Sequence, residues 1–203
     1  MTIATASTIA RIALAAVGLT VSTATLSDAQ TARQRSWEIR VTGGELVPTG
    51  DQRDAIEGAK LNALQVSWLL RPSFAITGTL GWARSKDVAA VDRPKLNVFT
   101  SDLGVEVRPS RWFAGNAVEF DAFAGVGAGA RSYDYRNLDA KASHNLAGYA
   151  AAGGELGIGR VGVRIEVRDY VTGFKPLIGT GQSRTRNDVV VTAAVRINRN
   201  SSR

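Results

Sequence analysis

The chain is 203 residues long, carries a formal net charge of +7 and contains no cysteine. That length suits a single domain, and the lack of cysteine excludes a small secreted module stapled by disulfides. The basic balance calls for an anionic partner or, equally, for no more than hydrated loops.

Residues 1–29 carry Arg11, an apolar stretch over 12–21 and a small-residue exit at Ser27-Asp28-Ala29. A charged start, a short apolar middle and small residues before a break predict a secretory signal peptide recognised by the Sec pathway. The rival, an N-terminal helical anchor, fails on length, because a spanning helix needs about 20 apolar residues. Cleavage leaves residues 30–203 as one domain, still at +7 because Arg11 and Asp28 cancel. No later stretch is long and apolar enough for a helix to cross a bilayer, so a membrane protein built from it must use closed strands.

The remaining residues alternate with period two, the signature of strands with two unlike faces. Over 36–47, Trp37, Ile39 and Val41 share one parity and Glu38 and Arg40 the other. Residues 58–70 set Leu64, Val66, Trp68 and Leu70 against Gln65 and Ser67. An Arg71-Pro72-Ser73 turn leads to a third strand with Phe74, Ile76, Gly78, Leu80 and Trp82 on one side. The fourth, over 95–108, places Phe99, Leu103, Val105 and Val107 opposite Asp102 and Glu106, and Arg108-Pro109-Ser110 is expected to turn.

A fifth strand over 116–133 alternates Val118, Phe120, Ala122, Ala124, Val126 and Ala128 with Glu119, Asp121 and Arg131. The glycine run 125–129 lies inside it with no helix following, so it is read as relief of crowding rather than as a phosphate loop. The sixth, 145–158, is rich in Ala and Gly, with Tyr149 and Glu155 on its inward parity. The clearest strand is 161–171, where Val161, Val163, Ile165, Val167 and Val171 oppose Arg164, Glu166, Arg168 and Tyr170. The last, 188–198, sets Val189, Val191, Ala193, Val195 and Ile197 against Thr192 and Arg196.

About eight strands with alternating short turns and long polar loops (48–57, 85–94, 134–144, 172–187) predict an all-β, closed antiparallel up-and-down transmembrane barrel, its long loops outside the cell. Aromatic residues gather near both strand ends: Trp37, Trp68, Phe74 and Trp112 by the short turns, and Trp82, Tyr133 and Tyr170 by the long loops. They are expected to form two interfacial girdles. Alternation alone also permits a soluble lipocalin-like barrel with the apolar parity inward. With lipid outside, Glu38, Arg40, Glu106, Glu119, Asp121, Arg131, Glu155, Arg164, Glu166, Arg168 and Arg196 point into the lumen. Five guanidiniums against six carboxylates suit a mutually neutralising plug in a narrow bore, since unpaired buried charge costs several kcal/mol.

This architecture resembles the small eight-stranded outer-membrane barrel families, such as the transmembrane domain of outer-membrane protein A and the outer-membrane proteins X and W. The resemblance covers nearly all of residues 30–203 and rests on architecture and an ionic lumen rather than on a motif. It implies outer-membrane lipid as surroundings and insertion by the barrel-assembly machinery, which reads a terminal aromatic residue. Here the last strand ends Val195-Arg196-Ile197-Asn198 and a polar tail follows, a departure from that pattern.

Some similar barrels are lipid A deacylases that use a His, a Ser two residues later and a Glu. Here His144 is followed by Asn145 and Leu146, so that spacing is missing, and a set of Ser143, His144 and Glu155 is disfavoured by the distance along the strand. No Cys/His cluster offers a metal site, and Asp51, Asp54 and Glu57 are spaced unlike a calcium loop. No catalytic residue, cofactor, metal or nucleic-acid partner is expected. The reading is a non-enzymatic outer-membrane barrel serving envelope integrity or surface interaction through four long loops. Their basic residues Arg53, Lys86, Arg93, Arg136, Lys141, Lys175, Arg184 and Arg186 could meet lipopolysaccharide phosphates. The alternatives are a narrow conduit for small solutes and a lipid A-modifying enzyme.

Overall fold

The computed structural model describes residues 36–114, 118–136, 138–139, 141–158, 161–174 and 184–198; the signal-peptide reading of 1–29 lies outside them. Eight strands follow one another: β1 (Ser36–Thr49), β2 (Ala59–Arg71), β3 (Phe74–Lys86), β4 (Lys95–Ala114), β5 (Val118–Tyr135), β6 (Ser143–Ile158), β7 (Val161–Phe174) and β8 (Arg184–Asn198). Each pairs antiparallel with its sequence neighbours, and β1 pairs with β8 to close the barrel. Closure leaves no strand edge unpaired, which is the condition for strands to cross lipid.

The alternation read from the sequence sets the two faces. On β7, Val161, Val163, Ile165 and Val167 are exposed while Arg164, Glu166 and Arg168 are buried. The same holds around the wall, with Ile39, Val41, Leu80, Leu103 and Val195 exposed and Glu38, Arg40, Gln65, Thr79 and Asp102 buried. A soluble barrel would reverse this order, so the lipocalin-like alternative is overturned. An exposed apolar belt around a whole barrel is untenable in water and matches a hydrocarbon phase.

The connection at Pro72 is as tight as expected, since β2 ends at Arg71 and β3 begins at Phe74. The turn expected at Arg108-Pro109-Ser110 is not a turn. Strand β4 runs through it to Ala114, and its register against β5 slips between Val107 and Ser110. Val107 faces Ala124 and Ser110 faces Ala122, so Arg108 and Pro109 together oppose Phe123. A bulge of this kind accepts proline because the ladder there requires no donor from it.

On the loop side six strands, β1, β3 and β5 to β8, outrun the predicted boundaries, so the connections are shorter than the sequence suggests. Residues 50–57 fold over the barrel mouth, beginning with a 3-10 turn at Gly50–Gln52. They are fastened to the β3–β4 connection by an Ile56–Asp87 bridge and to β8 by a hydrogen bond from Arg186 to the Asp51 carbonyl.

Candidate functional site

Inward parity alone decides which side chains enter the lumen, and closure then stacks them in layers. Toward the short-turn end lies an ionic layer centred on Glu38. Its carboxylate accepts hydrogen bonds from Arg40, from Arg108 at 2.7 Å and from Arg196 at 3.0 Å. Glu155 takes Arg40 at 3.1 Å and Arg196 at 2.5 Å. Glu106 joins Arg108 at 2.8 Å to Arg164 at 2.6 Å, and Glu166 joins Arg164 to Arg168. Each guanidinium therefore bridges carboxylates on different strands, using the planar fork that suits arginine to such networks.

Of the eleven residues assigned to the lumen from sequence, ten are buried there, and Glu119 lies on the same inward row but half-buried near the short-turn rim. Three further ionic members were missed. Arg108 was hidden by the mistaken turn, although period two extended from Glu106 would have placed it inward. Asp102 accepts a bond from Tyr170, and Asp188 pairs with Arg131; both share inward parity with residues that were chosen.

Above the ionic layer the lumen turns aromatic and then apolar. Tyr133 and Tyr170, expected in the outer girdle, are instead 0% and 3% exposed inside the barrel. The reason is parity: Tyr133 follows Arg131 by two residues and Tyr170 follows Arg168 by two. Arg131 stands 4.2 Å over the Tyr170 ring and Arg168 lies 4.7 Å from the Tyr149 ring. Such contacts favour desolvated guanidiniums. Tyr149 fits only because Gly104 and Gly127 face each other beneath it; a Cβ on Gly104 would stand 2.2 Å from the tyrosine oxygen. The glycine run of β5 is thus a steric device for a crowded bore.

The mouth is closed by Leu46, Ala55, Ile56, Leu96, Val98 and Tyr133, all essentially inaccessible. This lid went unread because Leu96 and Val98 lie on the parity taken for polar, and Ile56 lies in a segment taken for a hydrated loop. Between lid and ionic layer, the described residues enclose a void of about 20 Å³, lined among others by Thr79, Thr100, Arg168 and Tyr170. That is room for roughly one water molecule.

The other girdle residues whose side chains are described face outward. Trp37 and Trp68 stack across β1 and β2 with ring centroids 5.5 Å apart, Phe74 lies beside the same rim, and Trp82 stands near the loop end. The side chain of Trp112 lies outside the described residues. His144 is on the outer wall, where its Nδ1 is 2.8 Å from the Ser132 hydroxyl across β5 and β6. Glu155 is buried in the lumen, on the other side of the wall, so Ser143, His144 and Glu155 do not converge.

No protein-family model matches the sequence, and no curated protein matches it. Among solved structures, the fold is similar to Neisserial surface protein A, with a TM-score of 0.51 and 9% identity over 79% of this chain and 96% of that one. It is more loosely similar to the N-terminal β-barrel domain of Pseudomonas aeruginosa OprF, with a TM-score of 0.47 and 13% identity over 80% of this chain and 96% of that one. The outer membrane protein OprG from Pseudomonas aeruginosa gives a TM-score of 0.46 and 12% identity over 82% of this chain and 97% of that one. At such identities the likeness is one of fold, and that fold is the small eight-stranded barrel of the outer-membrane type.

Proposed function

We infer that the chain is exported through the Sec pathway, resides in the outer membrane and acts there as a sealed, non-enzymatic barrel whose contacts with its surroundings are made at the outer rim. Its role on this reading is envelope integrity or surface interaction, with outer-membrane lipid as its principal partner. The observation that carries the reading is the double seal, a neutralised ionic layer below and an apolar lid above, with a void among the described residues between them that holds about one water. A hydrated ion would have to break several buried arginine–carboxylate bonds and then part the lid, against a cost of several kcal/mol for each charge left unpaired. The exposed apolar belt supports residence in a bilayer.

Planar-bilayer recording of the refolded protein tests the seal. The expected result is a flat trace without unitary steps; reproducible stepwise openings would replace this reading with the solute conduit.

A further inference from the structure

We propose that the outer wall over β2, β3 and β4, just above the apolar belt, holds a binding groove for the phosphate-bearing headgroup of an acylated lipid of the outer leaflet. The proposal deepens the reading above and rests on it for the membrane setting.

Inward and outward residues alternate to the strand ends, but the outward chemistry changes near the loop rim. On β3, Leu80 is followed by Trp82, Arg84 and Lys86; on β2, Leu64 gives way toward the rim to Asn62 and Lys60; on β4, Phe99 is preceded by Asn97 and Lys95. The register sets Lys86 directly opposite Lys95. Arg136 joins them from just past the end of β5, its backbone N–H donating to the Lys95 carbonyl at 3.1 Å. Directly opposed side chains on one face are about 5 Å apart, and like charges there are destabilising. The β3–β4 ladder and the Arg136 backbone bond nonetheless hold these cations together.

These residues line a groove of about 630 Å³ in which Glu57 is the lone carboxylate among the described residues. Glu57 bonds Lys86 at 3.1 Å, leaving Lys60, Arg84, Lys95 and Arg136 without a carboxylate among the lining residues. The wall is firmly built: the Glu57 N–H donates to the Lys86 carbonyl at 2.9 Å, and the Ser85 hydroxyl donates to the Glu57 carbonyl. Trp82 is held at the lower edge by its indole N–H on Asn97 and by Arg84, 4.4 Å over its ring. Immediately below, Leu64, Leu80, Phe99 and Leu103 are exposed.

The occupant these features select is amphiphilic. An anion between Lys95 and Arg136, beside the Lys86 that Glu57 already engages, converts the remaining repulsion into attraction, and acyl chains attached to it continue down the apolar wall. A tryptophan at the junction is the side chain that suits contact with both phases. A free phosphate would use the cations and leave the apolar continuation unused.

The test uses the full folded chain in detergent, with folding verified by gel mobility before and after boiling. The probes are a bisphosphorylated, acylated diglucosamine lipid, its dephosphorylated counterpart and inorganic phosphate, followed by Trp fluorescence and native mass spectrometry. The triple variant K86Q/K95Q/R136Q should bind the phosphorylated lipid at least about tenfold more weakly, and R93Q/K141Q, which lie outside the groove, should stay within about twofold of the parent. The parent should bind the dephosphorylated lipid as weakly as the triple variant binds the phosphorylated one, an arm that needs no substitution. Equal losses in both variants, no loss in either, or inorganic phosphate competing at the lipid's own affinity would overturn the groove. Conductance through the barrel would sink the sealed-lumen reading while leaving these binding ratios unchanged, so the two failures are separable.

Discussion

The substitution Glu38→Gln probes the sealed lumen most directly. Glu38 is 1% exposed and is shared by Arg40, Arg108 and Arg196, so the change removes one charge at nearly constant volume from the centre of the ionic layer. Breaking a buried pair by removing one partner costs about 3–5 kcal/mol. Each arginine here keeps another carboxylate, Glu155 for Arg40 and Arg196 and Glu106 for Arg108, which places the loss at the lower end, about 3 kcal/mol. With a urea slope of about 2 kcal/mol per M, the midpoint should fall by about 1.5 M. The assay is a urea titration of the barrel folded in lipid vesicles, read by Trp fluorescence and by the mobility of unboiled samples. Adding Arg108→Met should recover part of the loss, because it removes the guanidinium left in excess. In a water-filled lumen the same pairs would be worth about 0–1 kcal/mol. A shift below about 0.5 M would therefore refute the sealed interior.

Two further substitutions test the packing and the polarity of the wall. Gly104→Val should cost about 1–3 kcal/mol in the same titration through overpacking, since its Cβ would meet the Tyr149 oxygen at 2.2 Å and the Val126 carbonyl at 2.7 Å; an unshifted midpoint would mean that Tyr149 does not lie on that glycine pair. Ile165→Arg, at an outward position 61% exposed, should cost about 2–4 kcal/mol in a bilayer, whereas an exposed site in water would tolerate it within about 0.5 kcal/mol.

Two of the differences between sequence and structure arise where residue type outweighs period two. Tyr133 and Tyr170 were drawn to the girdle by residue type and strand position, although period two ties them to Arg131 and Arg168 inside. Proline and serine after Arg108 suggested a turn, and only pairing with β5 reveals the bulge that carries the strand onward. The lid over the mouth was illegible for another reason. Ile56 and Ala55 follow no alternation, and their burial depends on where residues 50–57 settle against Asp87 and β8.

Local alternation, being a property of consecutive residues, determined the strands and which residues share a face, and the short and long connections with aromatic residues at the strand ends pointed the greasy face outward. Tertiary structure alone decided who meets whom across the bore, Glu38 with Arg108, Arg131 with Asp188 and Tyr149 on Gly104, and which cations face each other on the outer wall, Lys86 opposite Lys95. Those partnerships depend on the register and stagger of strands far apart in the chain, and a one-residue slip would exchange the faces of a strand. No run of neighbouring residues encodes that stagger. It is fixed when the eighth strand pairs with the first.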